Sequence, residues 1–227
     1  MSQGSIGQFF DGLTSDYSSS IERCFPRYRE MLWALLTYLP QDRTYQRILD
    51  LGSGTGNLTT AVAEAFPQAA IECVDLSSES LDECRRRLGT ERELKLHVGD
   101  MSKIDFPPQQ FDLVVSSIAI HHLTSAQKQE LFSRVRGWLK PGGVFSFCDQ
   151  CRGQTEAIYQ VHTEQWKQLA LEAGSTPEEF AMWMQHQRDH DHHDPLSDQI
   201  NWLKAAGFEE VDCTWRFLLW SVVQGRA

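Results

Sequence analysis

The sequence predicts an α/β fold, a mostly parallel sheet with helices on both faces. Three observations carry this. From residue 47 onward, short apolar runs alternate with amphipathic stretches of helical length. The first run, RILDL, ends in a glycine cluster. Each crossover is long enough to return the chain to the same edge of the sheet, as parallel strands require.

The elements follow in order. Phe9, Leu13, Tyr17, Ile21 and Phe25 recur every four residues. Met31, Leu32, Leu35, Leu36 and Leu39 carry the apolar face past Pro26, so residues 8–38 are expected to be helical, stopped by Pro40. Residues 47–51 form the first strand, and 57–66 a helix stopped by Pro67. Residues 70–75 form the second strand, and 78–88 a helix with Ser at its start and Gly89 at its end. Residues 94–98 and 111–117 are the third and fourth strands, with a helix over 125–139. Lys140-Pro141-Gly142-Gly143 is expected to make a tight turn into a fifth strand over 144–148. A helical pattern then runs to about residue 206, and strands over 211–217 and 219–224 close a seven-stranded sheet. At 227 residues the chain reads as one domain, 1–227, with an N-terminal helical cap over 8–40 and a helical insertion over 152–194.

Composition narrows the function. Hydrophobic residues at 41 %, charged at 23 % and aromatic at 11 % describe a folded chain. A net charge of −10 repels polyphosphate, so neither nucleic acid nor an anionic membrane is an expected partner. The expected partner is a small-molecule acceptor, with a homodimer left open. No apolar run reaches the roughly 20 residues that span a bilayer. The N-terminal residues lack a signal-peptide pattern, and the six cysteines read mostly as reduced core thiols, so a cytoplasmic location is expected.

The strongest chemical signal is Asp50-Leu51-Gly52-Ser53-Gly54-Thr55-Gly56-Asn57 at a strand-to-helix junction. Alternating glycines let a ligand touch bare backbone. A dinucleotide fingerprint would need a third glycine where Asn57 stands. The G-x-G-x-G run after an acidic residue instead suits an amino-acid moiety. Here the sequence resembles the class I S-adenosylmethionine-dependent methyltransferases over about residues 20–225. That resemblance implies a Rossmann-like sheet with a helical lid insertion, S-adenosylmethionine as cofactor, and methyl transfer to a small molecule. It assigns Asp50, Gly52, Ser53, Gly54, Gly56 and Asn57 to the glycine loop. Asp75, followed by Leu76, would meet the ribose diol; Asp100 would bond the adenine amino group, with Met101 packed on the ring. Ser116 lies near the end of the fourth-strand motif over 111–117, the end that would face the methyl donor.

Shorter matches resemble the branch containing carboxy-S-adenosylmethionine synthase. In Cys24-Phe25-Pro26-Arg27-Tyr28 the resemblance implies that Tyr28 reaches the cofactor, and in Gln187-Arg188 that Arg188 lies over its pocket. Leu203-Lys204-Ala205-Ala206-Gly207-Phe208 matches that branch's closing helix. The synthases carry a G-C-S-x-G type loop, whereas this chain has the common form, so methyl transfer is preferred over carboxy-S-adenosylmethionine synthesis. A non-catalytic protein that binds S-adenosylmethionine for regulation is the other alternative.

Methyl transfer from a sulfonium is an in-line displacement, so the protein mainly positions the nucleophile and excludes water. His121 and His122, after the fourth strand, are the candidate general bases. His186 and His190 have zinc-capable spacing, but the polar run ending at Pro195 reads as a frayed, solvated helix end. Cys148 and Cys151 read as packed thiols, and Asp149 beside them as a pocket-lining candidate. No metal ligands are therefore assigned. Trp166, Met182, Trp183 and Met184 in the insertion could form either an apolar lid or the insertion's own core.

Overall fold

A computed structural model describes residue 21, residues 23–89 and residues 92–227. The sheet has seven strands in the order β3-β2-β1-β4-β5-β7-β6. These are β1 Arg47–Leu51, β2 Ala70–Asp75, β3 Leu94–Val98, β4 Phe111–Ser117, β5 Leu139–Gln150, β6 Glu209–Phe217 and β7 Trp220–Arg226. β1 to β5 run parallel, and β7 pairs antiparallel with both β5 and β6.

Helices cover both faces. On one lie α1 Tyr28–Thr37, α2 Asn57–Ala65, α3 Ser78–Leu88, α5 Glu156–Glu172 and α6 Pro177–His190. On the other lie α4 Ser125–Trp138 and α7 Leu196–Ala205. Alternation along the strands explains the two cores. Ile48, Leu113 and Val115 face the first, while Leu49, Leu51 and Val114 face the second. Strands buried on both faces read as continuous apolar runs. The helices start where local chemistry dictates: Ser77 Oγ accepts the Ser80 amide to begin α3, and Thr124 and Gln127 form a capping box before α4.

Several boundaries differ from expectation. The helix expected over 8–38 lies outside the described residues up to residue 20, and within them it breaks at Phe25–Arg27. Pro26 lacks an amide hydrogen, and Arg27 takes a left-handed φ of 62° immediately before α1. The expected turn at 140–143 is instead the first part of β5, because the chain's last residue supplies it with partners. The Gly142 amide donates to the Ala227 carbonyl at 2.6 Å, and the Ala227 amide donates to the Gly143 carbonyl at 2.8 Å.

β1 and β4 are neighbours, and their connections leave in opposite directions across the sheet. In such sheets ligands bind outside the carboxyl ends of the strands at this switch point.

Candidate active site

A crevice opens at the carboxyl ends of β1 to β4. Tyr28, Gly52, Ser53, Gly54, Asn57, Asp75, Leu76, Asp100, Met101 and His122 line it. The glycines do different work. A Cβ on Gly54, at φ +52°, would meet nothing within 4 Å, so this backbone lies bare to the crevice. Gly56 lies behind it, where a Cβ would approach Cys84 Sγ at 2.6 Å. It lets α2 and α3 approach closely and caps α2 in the left-handed conformation.

Asp75 Oδ2 accepts the Gly54 amide at 2.8 Å and Oδ1 the Ser77 amide at 2.9 Å. One carboxylate thus ties the end of β2 to the glycine turn after β1. Asp100 Oδ1 accepts the Ser102 amide at 2.8 Å, and Oδ2 lies 3.0 Å from Lys103 Nζ. Tyr28 is buried at the start of α1, and burial raises its pKa, so the phenol is a neutral wall.

Four expected cofactor residues do not line the crevice: Gly56, which packs behind it, and Asp50, Ser116 and Arg188. Asp50 is buried beneath the turn, accepting Thr59 Oγ1–H at 2.7 Å, because the pleat points it into the core. Burial, against the Thr59 bond and with the charge of Asp75, pushes its pKa up to about 7. Ser116 donates to the Leu51 carbonyl at 2.6 Å and fastens β4 to β1. Arg188 is exposed on α6 and donates to Gln185 at 2.6 Å, pointing away from the crevice because its helical phase turns it outward.

A second, smaller cavity is lined by Phe25, Ile118, His121, Gln150, Trp166, Trp183, His186, Gln187 and Asp191. Ile118 lines both cavities, at a φ of 51° that is costly for a β-branched residue. The following short 3₁₀ turn, Ile120–His122, presents His122 to the crevice and His121 to the smaller cavity.

Asp149, on β5, holds His121 at two points: Oδ2 accepts its amide at 2.9 Å and Oδ1 contacts Nδ1 at 2.5 Å. Burial works to lower the His121 pKa, but the carboxylates of Asp149 and Asp191 outweigh it and leave the imidazole above its usual value. Burial and the charge of His121 lower His122, and burial with His122 brings His186 to about 4. Asp191 is held well below the carboxylate range: burial opposes this, but His121, His122 and His193 prevail.

The run after α6 is therefore not a frayed, solvated end. The chain turns at Asp191 and folds back under the 3₁₀ turn, the His192 amide donating to the His121 carbonyl at 2.7 Å. Lys128 Nζ, itself buried, donates to the His192 carbonyl and pairs with Asp194 at 2.7 Å. Trp166 and Trp183 are buried against the small cavity, while Met182 is about one-third exposed at the surface and Met184 packs at the core's edge. Cys148 and Cys151 are buried free thiols with burial-raised pKa values, that of Cys151 about 12. Sequence reasoning missed Asp191 and Ile118. The first sits in a polar run and the second in an apolar one, and neither pattern marks a site.

The crevice suits the nucleoside that the sequence implied. Bare backbone at Gly54 can meet a methionine tail, Asp75 and Asp100 offer acceptors at the ends of β2 and β3, and Leu76 and Met101 offer apolar surface. The family described as "Methyltransferase domain" matches residues 48–143. An uncharacterised methyltransferase of Geobacillus kaustophilus is 29 % identical over 157 residues, covering 68 % of this chain and 71 % of that protein. The malonyl-[acyl-carrier protein] O-methyltransferase of Geobacter sulfurreducens is 38 % identical over 101 residues, 44 % of this chain but only 37 % of its own length. Among solved structures, Haemonchus contortus phosphoethanolamine N-methyltransferase 2 with bound S-adenosyl-L-methionine superposes at a TM-score of 0.60 with 26 % identity, covering 82 % of this chain and 38 % of that one. Glycine turn, strand order and relatives together support a class I S-adenosylmethionine-dependent methyltransferase, a family to which this chain is similar over its glycine turn and sheet.

Proposed function

We propose that the chain methylates a compact small molecule seated in the cavity beyond Ile118, against Phe25, Trp166, Trp183 and the imidazole of His121. When bound, S-adenosylmethionine supplies a methyl carbon on a positively charged sulfur, open to in-line attack. The protein's own residues do the rest. Gly54 and Asp75 locate the amino-acid and ribose portions, Asp100 and Met101 the base, and Tyr28 covers the loop. The aromatic walls strip water from the acceptor and hold it. Where the acceptor carries a proton, His121 can receive it at Nε2, since Asp149 engages Nδ1.

The observation that carries this reading is that one residue, Ile118, walls both cavities, so cofactor and acceptor sites adjoin. The narrow, aromatic-walled second cavity favours a compact acceptor. The outward Arg188 and the common glycine loop favour ordinary methyl transfer over carboxy-S-adenosylmethionine synthesis. Free cysteines throughout the chain suit a reducing compartment, and we assign it to the cytoplasm. Among the described residues no helix is long and apolar enough to cross a membrane.

The test is a turnover screen across a metabolite library that reads S-adenosylhomocysteine. Release with a class of small acceptors is expected. Tight cofactor binding with no release from any acceptor would support the regulatory alternative instead. A copurifying nucleoside heavier by one carboxylate would support the synthase.

A further inference from the structure

Asp191 sits inside a ring of imidazoles drawn from distant parts of the chain. Its Oδ1 lies 3.0 Å from His122 Nδ1, 3.6 Å from His121 Nε2 and 3.9 Å from His186 Nε2, and its Oδ2 lies 3.5 Å from His193 Nε2. One nitrogen from each of His121 and His122 and one Asp191 oxygen all fall within 4.8 Å of one another. Ligands about 2.1 Å from a tetrahedral ion stand about 3.4 Å from each other along the edges of the polyhedron. The distances here bracket that edge.

We propose that His121, His122 and Asp191 bind a divalent transition-metal ion of the zinc class, with His186 and His193 within reach as further ligands. Two independent features support this beyond the spacing. First, the far nitrogens are already fixed. His121 Nδ1 is held by Asp149 at 2.5 Å and His193 Nδ1 by Tyr159 Oη at 2.7 Å, so each ring turns its Nε2 toward Asp191. A carboxylate or hydroxyl on the outer nitrogen is what orients imidazoles in metal sites. Second, the charges call for a cation. Asp149 and Asp191 are two buried carboxylates among imidazoles, and the buried ammonium of Lys128 is matched separately by Asp194. A doubly charged ion balances the pair without protonating any ring.

The donor set decides the metal. Imidazole nitrogens with one carboxylate favour zinc, ferrous iron or their neighbours over magnesium and calcium, which prefer all-oxygen shells. The site borders the smaller cavity, where an acceptor oxygen or nitrogen can complete the coordination. With the ion bound, His121 Nε2 is a ligand and cannot take the acceptor's proton, so the general-base role of that nitrogen belongs to the metal-free protein alone. Metal binding itself does not depend on either role.

The experiment titrates tag-free, chelator-treated full-length chain with Zn²⁺, Mn²⁺ and Mg²⁺ against a competing chromophoric chelator. About one equivalent of Zn²⁺ should bind, with Mg²⁺ failing to compete. His122→Ala and Asp191→Ala should each weaken binding at least about tenfold. His190→Ala, a neighbour outside the ligand set, should leave it unchanged, and circular dichroism selects variants that keep the fold. Asp191→Asn retains the shape and guards against loss by misfolding. X-ray absorption on the loaded protein should give nitrogen and oxygen neighbours at about 2.0–2.2 Å. Below about 0.1 equivalent of Zn²⁺ after loading and desalting, or full binding in a folded His122→Ala/Asp191→Asn double variant, would overturn the site. Because no step needs turnover, failure of the methyl-transfer reading would leave this result intact.

Discussion

Asp149 grips His121 at two points, its carboxylate meeting both the backbone amide and Nδ1 of a residue 28 positions away in sequence. A third bond, from the Gln150 amide to Oδ1 at 2.7 Å, completes the set. Asparagine has one acceptor oxygen where aspartate has two, so Asp149→Asn must leave at least one buried donor poorly met. The expected result is a fall in kcat of about 10²- to 10⁴-fold with S-adenosylmethionine affinity within about twofold of the parent. Equal losses in both would show that Asp149 merely holds the fold.

Asp75 predicts the opposite split. Removing its side chain takes away the partner of the Gly54 amide and the expected acceptor for the ribose. Asp75→Ala should weaken S-adenosylmethionine binding about 10- to 100-fold, the equivalent of one charge-assisted hydrogen bond. Isothermal titration measures it, and an unchanged dissociation constant would remove Asp75 from the cofactor site.

The glycine turn offers a paired test. Alanine at Gly56 would drive its Cβ into Cys84 Sγ at 2.6 Å, from a φ of +85°. Gly56→Ala should therefore cost about 2–4 kcal/mol of stability, read by urea unfolding. Alanine at Gly54 meets open space, so Gly54→Ala should cost only about 1 kcal/mol while sharply reducing cofactor affinity. A reversal of that pattern would exchange the roles of the two residues.

Asp50 makes stability depend on pH. Burial raises its native pKa to about 7 from the ordinary aspartate value of 3.8, so between these values the folded state retains a proton that the unfolded state has lost. This group's contribution to stability therefore falls as pH rises from about 4 to about 7, then levels off. The window spans on the order of 4 kcal/mol. Asp50→Asn keeps an oxygen for the Thr59 hydroxyl and carries no charge to desolvate. Denaturant midpoints for variant and parent should draw together as pH falls to about 4 and separate at pH 8 in favour of the variant. Parallel pH dependence of the two would refute the assignment.

Much of the architecture was legible because local patterning and burial coincide. β1 to β4, α2 and α3 have apolar faces and punctuation that one element can state alone: RILDL before a glycine turn, Ser77 before α3, Gly89 after it. The crevice was equally readable as a place, since Gly52, Gly54, Asp75 and Asp100 all lie at strand ends, and parallel topology brings those ends together. Asp50 and Ser116 sit beside those same ends, yet the pleat turns both side chains inward, which no motif discloses.

The sequence by itself determined the alternation of strands and helices, the bare glycine turn and the acidic residues that follow it, because each depends on neighbours a few positions apart. Only the tertiary structure decided that Asp191 returns beneath His121 and His122, that Asp149 locks one of those rings, and that Ile118 divides two cavities. The physical reason is range. A hydrogen bond or ligand sphere a few ångströms wide joins residues tens of positions apart, and the polar run that supplies Asp191 looks like a solvated helix end until the buried Lys128 pins it down.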